Sequence, residues 1–150
     1  MNKTLTALLG GLLLLAVGCA TTDPVTKAEI ASADFGAYPD NYETLIKDHL
    51  YKTLIDPTSM LVEFEGRPYK GYCYAPAVIP PGQHFGYGVP LRVNAKNRLG
   101  GYVGWKGHVA FIRNGRVYET FETFEMLGPG HGPEMWVKPV DQLIPKDAKR

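Results

Sequence analysis

The segment DNYETLIKDHLYKTLI, residues 40–55, carries the clearest periodic pattern in this sequence. Positions on one face of an α-helix are occupied by Tyr42, Leu45, Ile46, His49, Leu50, Thr53 and Leu54. Asp40 and Glu43 have the spacing of a capping-box pair, and Asp56-Pro57 ends the pattern. The segment therefore predicts an amphipathic helix over 41–55, and its wide apolar stripe has to be buried against another apolar surface.

The chain after this helix supplies such a surface as a series of predicted strands. Alternating, β-branched and aromatic residues indicate strands over 60–65, 69–74, 87–93, 102–113 and 116–123, followed by a short apolar piece over 135–140. Asn114-Gly115 is typical of a two-residue hairpin turn, and Pro90 suggests an edge strand or a bulge. We predict an α+β fold with one amphipathic helix packed on an antiparallel sheet of four to five strands. The alternative is a small β-barrel with a helical lid.

The N-terminal eighteen residues have the form of an export signal. A short start containing Lys3 precedes an unbroken apolar run over 5–18, which is too short to span a bilayer comfortably. The run ends in Leu-Ala-Val-Gly-Cys19, which resembles the lipobox of bacterial lipoproteins. The resemblance implies that Cys19 becomes the lipidated N-terminus of the mature protein, and Ala20 after it favours the outer membrane, facing the periplasm. The alternative is an ordinary secretory signal that happens to end at a cysteine.

This interpretation divides the chain into three predicted parts. Residues 1–18 are predicted to be the lipoprotein signal peptide, and residues 19–36 the lipidated N-terminus with a flexible tether. A short helix over 25–33 is the alternative for part of the tether, although its apolar positions form no stripe. Residues 37–150 are predicted to form a single periplasmic domain, because their number suits one hydrophobic core.

Candidate chemistry is sparse. Once Cys19 is lipidated, Cys73 is the only thiol left, so it is buried, paired with another molecule, or reactive. The enzymatic alternative is a thiol hydrolase of the cell wall that uses Cys73 with His84, His108 or His131. The histidines lack the spacing of a metal site, so we expect neither metal nor cofactor and predict no enzymatic activity.

Charge is distributed unevenly along a nearly neutral chain. The formal net charge is +1 at pH 7, yet residues 66–118 contain eight Lys or Arg and no Asp or Glu. Two cation clusters fall in predicted turns, which lie at the surface of a fold. With a neighbouring aromatic they give a candidate binding surface of Lys96, Arg98, Trp105, Arg113 and Arg116. We expect it to meet an anionic envelope partner, a lipid headgroup or an acidic protein, and no nucleic acid. The alternative is charge pairing within the domain.

Many aromatic residues lie on or beside the predicted strands. Nine tyrosines and two tryptophans occur in the chain, and both cross-strand packing and a binding face would use them.

Two longer motifs resemble known sequences. The segments FGAYPDNYETLI…LIDPTSM and NAKNRLGGYVGW are similar to motifs in small uncharacterised lipoproteins of Gram-negative bacteria, and the similarity spans most of residues 35–119. The resemblance implies a lipid-anchored envelope protein and brings no activity with it. We expect a non-enzymatic outer-membrane lipoprotein that binds, or structurally assists, an envelope component. The alternatives are an inhibitor or immunity-type protein and the Cys73-dependent hydrolase.

Overall fold

The computed structural model describes residues 23–123 and 136–148. The elements in chain order are the helices α1 (Lys27–Ala31) and α2 (Tyr42–Thr53), a 3₁₀ turn (Pro57–Ser59), the strands β1 (Leu61–Phe64), β2 (Tyr69–Cys73), β3 (Phe85–Asn94), β4 (Lys106–Arg113), β5 (Arg116–Glu122) and β6 (Val137–Pro139), and a second 3₁₀ turn (Val140–Gln142). None of the helices in these two ranges is long and apolar enough to cross a membrane.

Helix α2 confirms the amphipathic pattern and corrects its start. Ile46 and Leu50 are buried, and Leu45 packs beside them on the same stripe. The N-cap is Asn41, which makes no side-chain capping bond, so the predicted capping box that begins at Asp40 is wrong. The following Pro57 opens a 3₁₀ turn, as expected for a residue that cannot continue the helix.

The sheet is open, antiparallel and six-stranded. Its order is β5-β4-β3-β2-β6, and β1 pairs with β3 beside β2. The predicted α+β class is therefore confirmed, and the β-barrel alternative is wrong because the sheet does not close. The strand beyond the predicted four to five is β6, which covers part of the apolar piece at 135–140 and pairs with β2.

Pro90 interrupts one ladder of the central strand. Strands β1 and β2 both pair with the same side of β3. The segment that connects β1 to β2 lies opposite Pro90, between the two paired stretches. The Pro90 carbonyl accepts the Glu65 N–H at 3.0 Å. The N–H group of a residue at this position would point to the same side of β3, but proline has no N–H and can donate no second bond there. The alternative of an edge strand is wrong, since β3 is bonded on both sides. Pro90 instead marks the position on β3 at which its partner on one side changes from β2 to β1.

The two faces of the sheet form two cores. Helix α2 covers the first face, where Val89, Leu91 and Ile112 are buried. The second face buries Phe111, Cys73 and Val137 beneath the segment that contains Ile79. A Cβ on Gly86 would lie 2.6 Å from the Phe111 ring, so the glycine leaves the space that this ring occupies.

Residues 23–36 are packed on the domain. The Asp23 N–H donates to the Ile144 carbonyl at 2.8 Å, and the Phe35 ring lies 5.5 Å from the Phe85 ring. Helix α1 is held at its start by a capping box between Thr26 and Glu29. The prediction of a flexible tether over 19–36 therefore does not hold for residues 23–36, because tertiary contacts stabilise a segment whose own pattern is weak. The remaining four residues of that predicted tether, 19–22, lie outside the described residues.

Candidate binding surface

The sheet separates the five predicted surface residues into two groups. Lys96, Arg98 and Trp105 belong to the loop that follows the C-terminal end of β3. Arg113 and Arg116 flank the β4–β5 hairpin turn, at the other end of β4. The eight residues of β4 span about 23 Å at the usual rise of ~3.3 Å per residue. The two predicted cation clusters therefore lie apart, because an antiparallel strand places the loops at its two termini on opposite ends of the sheet.

Arg113 is a structural residue. The hairpin turn has the predicted form, with positive φ at both Asn114 and Gly115. Arg113 is nevertheless only 8% exposed. Its guanidinium donates to the Phe85 carbonyl at 2.7 Å and to an Asp34 carboxylate oxygen at 2.8 Å. The expectation that Arg113 faces solvent is therefore wrong. It joins the N-terminal segment to the sheet, which supports the alternative of pairing within the domain.

Arg116 remains exposed at the edge of a shallow cleft. Its guanidinium carbon lies 4.8 Å from the centre of the Tyr118 ring. The cleft has a volume of about 340 Å³ and lies between α2 and the hairpin, with His49 and Lys52 among its lining residues. His49 Nε2 is 3.7 Å from a Glu119 carboxylate oxygen. Acidic and basic groups are mixed in this cleft, so its charge favours no single class of ligand.

Residues 95–105, which we name the 95–105 loop, form an ordered protrusion. Its tip is organised by Asn97, whose Oδ1 accepts the N–H groups of Leu99 at 2.9 Å and Gly101 at 3.2 Å. Its base is held where Asn94 Oδ1 accepts the Gly104 N–H at 3.1 Å. Positive φ at Gly100 allows the tip to turn. The backbone conformation of the loop is thus stabilised by its own hydrogen bonds.

The 95–105 loop presents both apolar and basic groups to solvent. Leu99 is 94% exposed at the tip, and Trp105 is 42% exposed at the base. Two further residues, Tyr102 and Val103, are half exposed. Arg98 is exposed and makes no hydrogen bond or ion pair within the described chain. Large apolar side chains in such numbers on one protrusion are typical of a contact surface.

The cations around this loop differ in how they are neutralised. Lys96 Nζ lies 5.5 Å from the Tyr102 ring centre and forms no ion pair within the described residues. Its charge nevertheless acts on Asp56, whose pKa is lowered chiefly by the hydrogen bond from Thr58 and also by Lys96. Arg92 lies over the Trp105 ring at 5.5 Å and also pairs with Glu63 at 2.5 Å. Sequence reasoning found Lys96, Arg98 and Trp105 but missed the contribution of Leu99. Leu99 stands in the predicted turn, but the apolar residues that follow it were predicted in a strand over 102–113, which in the structure begins at Lys106.

Cys73 lies where a nucleophile would be inaccessible. The thiol is completely buried, and burial raises its pKa to about 11. A ring nitrogen of His84 lies 2.7 Å from the Cys73 carbonyl oxygen, so this contact involves the backbone. Burial lowers the pKa of His108, which stabilises its neutral form. Of the three predicted interpretations of Cys73, the structure supports a buried, free thiol.

The other residues that the sequence singled out either pack within the domain or lie outside the described residues. The strand tyrosines mostly pack: the Tyr72 ring lies 5.0 Å from that of Tyr74, and the Tyr69 hydroxyl donates to the Val137 carbonyl. Within 23–123 and 136–148 there is no group of three or more His, Cys, Asp or Glu that could hold a metal ion. Cys19 and His131 lie outside the described residues.

Comparisons with protein-family models, with curated proteins and with solved structures found no match.

Proposed function

We propose that this protein is a non-enzymatic lipoprotein of the outer membrane, anchored through Cys19 and facing the periplasm, that binds another envelope component. The observation that carries the binding role is the 95–105 loop, in which Leu99 is 94% exposed on a backbone held by internal hydrogen bonds. A surface of this kind costs little conformational entropy on association, because its backbone is already ordered.

The thiol chemistry of Cys73 gives further support for a binding role over a hydrolytic one. A nucleophilic cysteine has to be present as the thiolate and has to reach its substrate. Burial works against both requirements at Cys73, since it raises the pKa of the thiol to about 11 and removes it from solvent. The proposal therefore assigns Cys73 to the core of the domain.

The anchor is tested by changing the lipobox-like segment. Cys19→Ser is expected to leave the protein soluble or unprocessed, and Ala20→Asp to move it towards the inner membrane. Metabolic labelling with a radioactive or clickable fatty acid, followed by fractionation of the membranes, measures both effects. Absence of label on the wild-type protein would refute lipidation.

The binding role is tested in intact cells with a photo-reactive amino acid at position 99. Irradiation is expected to give a specific adduct, since this side chain has almost no intramolecular cover. The matched control carries the same probe at position 51, because Tyr51 is also exposed but lies on α2. Equal adducts at both positions would contradict a binding role for the loop. A hydrolase as the captured protein would favour the inhibitor or immunity-type function.

A further inference from the structure

The geometry points to a specific occupant and direction for this surface: the 95–105 loop is a membrane-distal docking site for an acidic protein. This inference rests on the proposed lipid anchor at Cys19. It depends on two further features of the chain, namely the point at which the N-terminal segment joins the domain and the direction in which β3 runs.

The chain joins the domain firmly at Asp23. This carboxylate is buried and accepts a hydrogen bond from the Tyr74 hydroxyl at 2.6 Å. It also accepts the Ile144 N–H and forms an ion pair with Lys138 at 3.1 Å. A buried carboxylate with three donors is costly to withdraw, so residue 23 moves with the domain.

Only a short length of chain separates this point from the lipid-bearing residue. Four peptide steps connect Cys19 to Asp23, and a fully extended chain covers at most ~3.6 Å per residue. Residue 23 therefore lies within about 14 Å of the acylated cysteine, whatever conformation residues 19–22 adopt. The bilayer is consequently close to the part of the domain that holds Asp23.

The 95–105 loop lies at the opposite end of the sheet. The partners of Asp23 are near the start of β3, because Lys138 is paired with Tyr72 and Tyr72 with Phe85. The loop follows Asn94 at the end of the same ten-residue strand, about 30 Å away at ~3.3 Å per residue. This separation is about twice the reach of the anchor. The anchor therefore does not hold the loop at the bilayer, and a domain that stands on the end containing Asp23 presents the loop away from the membrane.

The chemistry of the loop selects the kind of partner. Exposed Leu99, Tyr102 and Trp105 need an apolar counterpart, which a polar glycan strand lacks. Acidic residues of neighbouring elements already neutralise part of the positive charge here, since Arg92 pairs with Glu63 and Glu65. Lys106 is already paired with Glu122 at 2.8 Å, and the charge of Lys96 acts on the carboxyl of Asp56. Arg98 has no acidic partner among the described residues and is left to pair with a carboxylate of a partner. Aromatic anchors combined with arginine are typical of protein interfaces, and the unpaired guanidinium of Arg98 favours a protein that brings a carboxylate to this site.

The experiment uses the full-length lipoprotein in cells, with the photo-reactive amino acid at position 99 and two double charge reversals. Lys96→Glu with Arg98→Glu is expected to reduce the adduct at least tenfold. Lys52→Glu with Arg116→Glu makes the same charge change at the α2 cleft and is expected to leave the adduct unchanged. Equal protease resistance of the two variants shows that both fold. Mass spectrometry of the adduct is expected to identify a protein segment that has Asp or Glu beside the attachment site.

A second measurement tests the bilayer as occupant. The full-length Trp136→Phe variant retains Trp105 as its only tryptophan, and it is reconstituted into vesicles that contain brominated phospholipid. Trp105 fluorescence is expected to be the same as in unbrominated vesicles, because the loop does not enter the bilayer. Quenching by bromine, an adduct with lipid or glycan, or an adduct unaffected by reversal of Lys96 and Arg98 would each overturn the inference. Failure of the anchor itself would appear separately, as loss of fatty-acid labelling.

Discussion

Replacing Asp23 with asparagine should detach the N-terminal segment from the domain at a measurable energetic cost. The wild-type carboxylate accepts bonds from Tyr74, Ile144 and Lys138. An amide of the same size retains one oxygen, and its NH₂ group faces donors where the second oxygen stood. The substitution therefore changes hydrogen bonding and charge with little change in volume.

The magnitude follows from burial and from the number of bonds. Side-chain exposure is 11% for Asp23 and 24% for Lys138, so solvent screens the pair only partly. A hydrogen bond to a charged group contributes about 1.5–3 kcal/mol, and such contributions are not additive within one network. We therefore expect Asp23→Asn to lower the free energy of unfolding by about 2–4 kcal/mol. Urea unfolding monitored by circular dichroism gives this value.

The matched control is Asp147→Asn. Asp147 also links the two chain ends, since its Oδ1 accepts the Lys27 N–H at 2.9 Å, but this bond is exposed. Its loss should cost less than about 0.5 kcal/mol. Equal unfolding midpoints for the two variants, or a midpoint of Asp23→Asn equal to that of wild type, would refute the assignment of Asp23 as the attachment point.

The same network predicts a direction for pH dependence. Burial would raise the pKa of Asp23, but the bonds from Tyr74, Ile144 and Lys138 outweigh it and the pKa lies below its ordinary value of 3.8. A carboxyl whose pKa is lower in the folded state stabilises the fold above the unfolded pKa. The stability difference between wild type and Asp23→Asn should therefore be constant from neutral pH to about pH 5 and shrink below about pH 4. An equal difference at pH 3 would contradict this linkage.

Three further experiments test the core. Ile46→Ala should destabilise the fold by about 2–5 kcal/mol, whereas Lys47→Ala on the exposed side of α2 should cost under about 0.5 kcal/mol in the same urea assay. Gly86→Ala should lower the melting temperature because its Cβ meets a buried ring, and Gly101→Ala, whose Cβ would meet only Asn97 Oδ1 at an ordinary contact distance of 3.9 Å, serves as the control. Cys73 should react with a disulfide reagent at pH 8 only in denaturant, because burial raises its pKa to about 11, and rapid labelling of the folded protein would show that the thiol is accessible.

Local patterns predicted the elements of this fold well where one face of an element is buried. The stripe through Ile46 and Leu50 located α2, because a helix that packs on a sheet needs apolar residues at its own period. Asn114-Gly115 located the hairpin, since both residues adopt positive φ readily and few other pairs do. Helix α1 was given only as an alternative, because its stability depends on contacts with the distant C-terminal segment around Lys146.

The candidate surface shows the limit of such patterns. By itself the sequence placed Lys96 and Arg98 in a turn and showed that residues 66–118 are without acids. Trp105 was predicted in a strand over 102–113, whereas the strand in the structure begins at Lys106. Tertiary structure alone decided that Arg113 is buried against Asp34, and that the hairpin and the 95–105 loop lie at opposite ends of β4. The physical reason is that turn residues and charges are local properties of a chain. Which charges meet each other depends on strand direction, register and the path of a segment some eighty residues away.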